Sequence, residues 1–225
     1  MAKPKKQKPP KPPKEPEPWD VLPILSNGDP FPDKLFSEVG KALSAWEALD
    51  ATQANVFSIL VSSRAGAAEA AYGSIVSPAS RAEMVLAAAR RVLVKDDPLL
   101  PELETLIDRV GKLSGRRNDI AHGMVGQYRP LTDDKTSLGY FLAPAFGNTR
   151  KNLSMDRVVE MVNLNHLIPM QRLHKYAYTA EQVAWYTAHF QHHTWLMAKL
   201  GLRIDAACKK RFPPRARRLG QDAEQ

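Results

Sequence analysis

The sequence predicts a mainly α-helical protein, an antiparallel bundle of about five helices that carries a small inserted β-hairpin. Apolar residues recur at alternating steps of three and four through long segments, which is the period of one helix face. Two start signals with proline, Ser77-Pro78 and Asp97-Pro98, separate such segments by short links. Between about residues 124 and 178 the helical period is lost, and aromatic and aliphatic residues flank a polar turn.

Each helix is predicted from its apolar period and its end signals. Ser77 is the expected N-cap of the third helix, Asp97-Pro98 opens the fourth, and Thr179 caps the last. Gly123 is the expected left-handed residue at the end of the fourth helix. The predicted helices cover residues 33–62, 65–75, 78–94, 98–123 and 180–207.

The β insertion is predicted over residues 124–178. Residues 124–131 and 138–145 read as a hairpin around the polar turn at residues 132–135. Residues 154–168 suit either a helix or a strand, and residues 172–178 suit a short returning strand.

The two ends of the chain differ from its centre in composition. Residues 1–18 hold six lysines and two glutamates among prolines, which predicts a disordered or polyproline II arm. A Pro-rich lead-in is predicted over residues 19–32, a single helical domain over residues 33–207, and a basic tail over residues 208–225. The arm and the tail each carry a net charge of +4 of the total +8, so residues 19–207 have no net charge. Attraction to phosphate is therefore expected from the ends and from local arginines, and it should weaken with salt.

Composition also restricts the compartment and the chemistry. Cys208 is the single cysteine, which excludes an intramolecular disulfide and a cysteine-rich metal site and fits a reducing cytoplasm. No apolar run reaches 18 residues, and prolines occupy the place where a signal peptide needs an apolar core, so neither the membrane nor secretion is expected. Glycine-rich phosphate loops and nucleophile elbows are absent from the sequence, so nothing in it supports a dehydrogenase, a kinase or a P-loop protein.

One stretch, residues 116–123, gathers acid-base and phosphate-binding side chains in a compact cluster. Leu103, Leu106, Val110, Leu113 and Arg117 follow one helix face, which places Arg117 on the apolar stripe. Burying a guanidinium at this position costs free energy of folding unless an anion or a hydrogen-bonding partner contacts it. Asn118 and His122 share a second face of the same helix at the i, i+4 spacing.

The segment Arg117-Asn118-Asp119-Ile120-Ala121-His122 resembles the arginine, polar residue, three residues, histidine motif of the HEPN superfamily, the higher eukaryotes and prokaryotes nucleotide-binding domains. The preceding stretch, from Ala71 to Arg90, is also similar to bacterial HEPN-like proteins, and the resemblance extends over about residues 33–207. It implies a helical domain, a homodimer, and, in active members, RNA cleavage that needs no metal or other cofactor.

The resemblance assigns roles to individual residues. His122 would be the general base for the ribose 2′-hydroxyl or the acid for the leaving oxygen. Arg117 would hold the scissile phosphate, and Asn118 would orient His122 or contact RNA. Basic charge, and not the resemblance, predicts further RNA contacts by Arg116, Lys209, Lys210 and Arg211, with a solvated end as the alternative for the last three. The family also includes toxins and defence effectors, so an antitoxin or regulatory protein is an expected partner.

Two other interpretations stay open from the residues alone. Arg117 can pair with Asp119, with Asp108 or with a carboxylate on another helix, and His122 can be an ordinary capping histidine. The protein would then be a non-catalytic HEPN-like RNA-binding or scaffold protein. The third interpretation is a metal-dependent enzyme, because His189, His192 and His193 have helical spacing; no carboxylate or cysteine accompanies them, so the pattern is weak.

Overall fold

The computed structural model describes residues 15–62, 66–94, 97–130, 139–144, 159–163, 166–168 and 176–211. The helices are α1 (Pro32–Leu60), α2 (Ala67–Gly73), α3 (Pro78–Val92), α4 (Leu99–Ala121) and α5 (Ala180–Arg211). The strands are β1 (Gly123–Pro130), β2 (Gly139–Pro144), β3 (Val159–Asn163) and β4 (His166–Ile168). The predicted class, a helical bundle with a hairpin, is confirmed. Most of the predicted arm, and the tail beyond Arg211, lie outside the described residues.

The two long helices α1 and α5 pack along each other and form the centre of the bundle. Trp46 of α1 meets the ring of Phe190 of α5 edge-on, with ring centroids 5.3 Å apart. Gly201 lets the helices approach closely, since a Cβ at this position would lie 3.1 Å from Val56. α4 packs against both α1 and α5, and α3 packs against α1 and α4. Their apolar faces merge into one buried core.

Side-chain caps fix where α3 and α5 begin, as the sequence predicts. The hydroxyl of Ser77 accepts a hydrogen bond from the amide of Ser80 at 3.3 Å, with Pro78 in the first turn of α3. At the start of α5 the Thr179 hydroxyl accepts from the Gln182 amide at 3.4 Å, and the Gln182 side chain accepts from the Thr179 amide at 3.0 Å. This reciprocal pair is a capping box.

The last helix is longer than predicted. α5 continues to Arg211, so residues 208–211 belong to the helix and not to the basic tail. Cys208 is buried there, four residues after the buried Ile204. The side chain of Arg211 donates a hydrogen bond to the carbonyl of Val92 at 2.7 Å, which holds this end of α5 against the end of α3.

The β insertion contains the predicted hairpin and more. β1 and β2 pair antiparallel from Gly123 opposite Pro144 to Tyr128 opposite Gly139. β3 pairs with the other edge of β1, and β4 pairs with β3, so the sheet has the order β2-β1-β3-β4. The 154–168 segment therefore forms strands where the structure describes it. The predicted hairpin turn and most of the predicted 172–178 strand lie outside the described residues, although Tyr178 bridges to Leu142.

The expectation of a left-handed Gly123 is wrong. Only Gly66 and Gly139 among the described glycines have positive φ, and Gly123 instead begins β1. A Cβ at Gly123 would lie 2.8 Å from the Leu142 side chain, so this glycine permits close contact between the end of α4 and the sheet.

The lead-in before α1 ties the bundle to the sheet. The Tyr186 hydroxyl donates to the carbonyl of Asp20 at 2.8 Å and accepts from the amide of Leu22 at 3.1 Å. Asp29 pairs with Tyr140 of β2 through backbone hydrogen bonds, and its carboxylate accepts from the Ala180 amide at 2.6 Å. Within the described residues, no helix has both the length and the apolar character needed to cross a membrane.

Candidate active site

The motif occupies the junction between α4 and the sheet. α4 ends at Ala121, and the amide of His122 donates the last helical hydrogen bond to the carbonyl of Asn118 at 3.0 Å. The next residue, Gly123, already pairs with β2. The end of the helix is therefore held by the sheet, which fixes the backbone of the residues that carry the motif side chains.

Arg117 lies on the side of α4 that faces α1, as the apolar stripe predicts. Its Nη2 is 3.6 Å from the Glu47 carboxylate of α1, and its Nη1 donates to the Asn118 side-chain oxygen at 3.3 Å. The Arg117 side chain is 32% exposed and that of Glu47 is 66% exposed. The buried Nε of Arg117 has no hydrogen-bond partner among the described residues. This guanidinium is therefore accessible from one side and incompletely satisfied.

Asn118 and His122 are both exposed on the outer side of α4. Gly111 and Gly115 precede them on the same side, at steps of four, three and four residues along the helix. A Cβ at either glycine would meet no atom within 4 Å. No hydrogen bond joins the His122 ring to another group in the part of the chain that the structure describes. The imidazole is thus presented to solvent beside an open helix surface.

The neighbouring Arg116 is much more deeply buried, which the sequence does not reveal, although its Nε likewise has no hydrogen-bond partner among the described residues. Its guanidinium is 3.0 Å from the Asp119 carboxylate and donates to the Tyr178 hydroxyl at 3.3 Å, and the residue is only 9% exposed. Burial, followed by the charges of Tyr186 and Asp119, raises the pKa of Tyr178 above its ordinary range, so the phenol stays neutral and donates to Asp119 at 3.2 Å. Tyr176 donates to the Asp119 carbonyl at 2.8 Å. The i, i+3 spacing of Arg116 and Asp119 was a signal for the pair.

This placement corrects the expected role of Arg116. A guanidinium that is enclosed by Asp119 and Tyr178 is not presented to solvent, so it does not offer a surface contact to RNA. Asp119 is likewise engaged inside the protomer, which removes the predicted option that it neutralises Arg117. The partner of Arg117 is Glu47, a carboxylate on another helix, which was among the predicted alternatives.

The basic residues Lys209, Lys210 and Arg211 lie at the other end of the bundle. α4 and α5 run in opposite directions, since Glu102 pairs with Arg203 near one end and Arg116 bonds to Tyr178 near the other. The 20 residues from position 102 to position 122 span about 30 Å of helix. The structure therefore does not bring this basic cluster to the motif. Lys209 pairs with Asp205 at 2.6 Å, and Arg211 bonds to a backbone carbonyl.

The three histidines of α5 do not converge. His193 is buried and its Nδ1 hydrogen-bonds to the His189 carbonyl at 2.8 Å, while His192 is exposed and lies parallel to Trp195. Burial, with smaller contributions from neighbouring positive groups, lowers the pKa of both His189 and His193. Among the described residues, no group of three or more histidine, cysteine or acidic side chains could hold a metal ion.

Three side chains with complementary chemistry are therefore accessible at the end of α4: the guanidinium of Arg117, the amide of Asn118 and the imidazole of His122. A guanidinium and an imidazole can together bind a phosphodiester and transfer a proton. Comparison with protein-family models, with curated proteins and with solved structures gives no match for this chain. The geometry of these residues and the motif that they form are therefore the observations that point to a function.

Proposed function

We propose that this protein is a metal-independent endoribonuclease of the HEPN type, with its site shared across a homodimer. The observation that carries the proposal is the contrast between the two adjacent arginines. Arg116 is enclosed by an ion pair, whereas Arg117 keeps an accessible guanidinium beside Asn118, on a helix end that also exposes His122. A purely structural motif would have its polar groups saturated inside the protomer.

The reaction is transesterification within RNA. The 2′-oxygen gives its proton to a base and bonds to phosphorus, the bond from phosphorus to the 5′-oxygen breaks, and that oxygen takes a proton from an acid. The products are a 2′,3′-cyclic phosphate and a 5′-hydroxyl. His122 acts as the base or the acid, and Arg117 binds the phosphate and stabilises the added negative charge. Asn118 orients the imidazole or the RNA.

The dimer follows from the need for two proton-transferring groups. One imidazole cannot remove a proton and supply another in the same step, and Asp119, the nearest acidic side chain in the motif, is turned into the protomer towards Arg116. Two copies of His122, one from each protomer, provide both groups. The open side of α4 at Gly111 and Gly115 leaves room for the approach of a second copy.

The biological role that we propose for such an enzyme is that of a toxin or defence effector, held in check by an antitoxin or a regulatory protein. Uncontrolled RNA cleavage harms the cell that makes it, so a partner that covers the exposed motif is expected. The exposed positions of Asn118 and His122 are compatible with such a cover.

The second candidate is a non-catalytic HEPN-like RNA-binding or scaffold protein. One observation favours it: Arg117 already has Glu47 as a partner within the protomer, and Asn118 as a second. The ion pair is long and Glu47 is exposed, so solvent screens it and a phosphate can displace it. We therefore place this candidate second.

The test is cleavage of a mixed RNA pool by purified wild type and by His122→Ala in excess EDTA. Arg91→Ala is the control, because it removes another exposed side chain on a different helix, away from both the motif and α5. We expect the wild type and the control to yield 2′,3′-cyclic phosphate ends and His122→Ala to lose at least about 100-fold in rate. Equal inertness of wild type and mutant at concentrations where the dimer forms would favour the binding protein instead.

A further inference from the structure

A second charged feature lies between α4 and α5, away from the motif. We call it the basic groove: a depression of about 370 Å³ whose polar rim comprises Glu102, Arg109, Lys199 and Arg203. Leu106, Leu196 and Leu200 line its floor. The three cations come from both helices, so the fold brings them together from distant parts of the chain.

The groove is positively charged although the body of the protein is neutral. Arg203 is the member with a close acidic partner, because its Nη1 lies 2.7 Å from both carboxylate oxygens of Glu102. Among the described residues, no carboxylate lies within ion-pair distance of Arg109 or Lys199. Three cations facing one carboxylate leave an excess positive charge where a polyanion can bind.

An exposed aromatic platform lies beside these cations. Trp195 of α5 is 57% exposed, an unusual position for the largest apolar side chain in a soluble domain. The Lys199 ammonium lies 5.1 Å from its ring centroid, and the His192 ring centroid lies 6.1 Å away with the two ring planes 25° apart. Both neighbours of this tryptophan are groups that bind phosphates or stack on bases.

We infer that the basic groove and Trp195 form a binding surface for single-stranded RNA. Cations that follow a phosphate backbone next to an aromatic side chain on which a base stacks are what such surfaces require. An acidic peptide would use the cations but leave the exposed indole without a partner, so RNA fits both halves of the surface. The inference depends on the proposed function only in naming RNA, and it assigns the place where a substrate strand is held.

The surface is separate from the reacting groups. Arg109 and His122 are 13 residues apart on α4, which corresponds to about 20 Å along the helix and to sides about 140° apart. The groove can therefore hold a strand without touching the phosphate that reacts. For a cleaving enzyme, loss of the groove should raise KM for long RNA and leave kcat nearly unchanged.

The experiment measures binding of a fluorescein-labelled oligouridylate of 12 nucleotides by anisotropy, in a His122→Ala background that does not cleave. We expect the pair Arg109→Ala and Lys199→Ala to raise Kd at least about tenfold and to reduce the salt slope by about 1.4, since each phosphate contact on a single strand contributes about 0.7. Trp195→Ala should raise Kd about fivefold or more.

The control pair is Lys34→Ala and Arg91→Ala, which removes two exposed cations from α1 and α3 and should change Kd less than twofold. If a groove variant unfolds, the conservative Trp195→Phe variant provides a second test. RNA should quench the tryptophan fluorescence of the wild type, and most of this quenching should be lost in folded Trp195→Phe. An unchanged Kd in the folded groove variants, or equally tight binding of a polyglutamate peptide, would overturn the inference. Groove binding without any wild-type cleavage would refute the proposed reaction alone.

Discussion

At the scale of the residue, two consecutive arginines differ in their surroundings and therefore in how strongly each is held. Arg116 is enclosed by Asp119 and Tyr178, and a buried guanidinium that lost its carboxylate would be strongly destabilising, by about 3–5 kcal/mol. Arg117 sits one residue further round the helix and reaches α1, where Glu47 meets it at 3.6 Å. The second arrangement is weak, because an exposed ion pair contributes about 0–1 kcal/mol.

Glu47 should therefore restrain Arg117 without being required for folding. We predict that Glu47→Gln frees the guanidinium and improves RNA binding at the motif by up to about fivefold, the equivalent of the about 1 kcal/mol that such a pair contributes at most. The midpoint of thermal unfolding should barely change. The measurements are KM for RNA cleavage and a melting curve.

Glu83→Gln is a closely matched control for this prediction. Glu83 is 68% exposed and pairs with Arg90 at 3.3 Å, so it removes a similar ion pair from another helix. It should leave KM unchanged. A fall in cleavage with Glu47→Gln, while Glu83→Gln is neutral, would mean that Glu47 itself takes part and that the restraint we describe is absent.

At the scale of the element, the helices were predictable because their causes are local. The signals act within a few residues: the period of the apolar residues, Ser77 followed by Pro78, and the cap at Thr179. The observed ends of the helices agree with the predicted ends to within a few positions. The predicted end of α5, at residue 207, was too early because the residues that follow are mostly charged. Cys208 nevertheless continues the buried face of the helix, four residues after Ile204. β3 could not be assigned in advance, since its strand form comes from pairing with β1, about 30 residues earlier in the chain.

The parts of the candidate site that depend on local geometry were predictable in the same way as the helices. The motif at the end of α4 and the orientation of Arg117 towards the core follow from helix geometry. Its partner Glu47, the enclosure of Arg116 by Tyr178, and the grouping of Arg109 with Lys199 depend on contacts between elements far apart in sequence. No local pattern encodes such contacts, which explains why the basic groove appears only in the folded protein.

The buried His193 and the partly exposed His189 make α5 sensitive to acid. Burial, together with the charges of His192 and Arg109, lowers the pKa of His193 from its ordinary value of 6.5, and burial lowers that of His189. The unfolded chain therefore takes up protons more readily than the folded chain. Stability is fully present above pH 6.5 and is lost as the pH falls towards the folded pKa of His193, by at most about 1.4 kcal/mol per pH unit for this buried histidine. Solvent reduces the contribution of the partly exposed His189.

We predict that His193→Asn reduces this acid-linked loss. Asparagine keeps a donor near the His189 carbonyl and does not titrate. The free energy of unfolding of the variant should change less between pH 7.5 and pH 5.5 than that of the wild type, as measured by urea denaturation. His192→Asn removes only one of the smaller causes of the lowered pKa of His193, so it should reduce the difference less than His193→Asn does. Equal pH dependence in His193→Asn and wild type would assign the loss to other groups.

At the scale of the whole molecule, charge and chemistry are distributed over different surfaces. The net charge resides in the two ends of the chain, the motif lies where α4 meets the sheet, and the basic groove lies between α4 and α5. Lys209 and its neighbours belong to the far end of α5, about 30 Å from His122 along α4. Under the proposed function, one protomer would cleave at the end of α4 and hold RNA at separate surfaces, so an RNA that spans both would have to be longer than the site itself.

A site shared by two protomers requires that the outer side of α4 face a second copy. Gly115 lies on this side between Gly111 and Asn118, and a Cβ there meets nothing within 4 Å in the protomer.

We predict that Gly115→Leu folds at least as stably as the wild type, because glycine inside a helix costs about 1 kcal/mol relative to good helix formers. The projecting leucine should nevertheless prevent close approach of the second α4 and abolish both dimer and cleavage. Sedimentation velocity and the RNA assay measure these outcomes, with Ala206→Leu on the exposed side of α5 as the control of equal final size. A Gly115→Leu protein that is still dimeric and fully active would show that the two protomers do not meet through this side of α4.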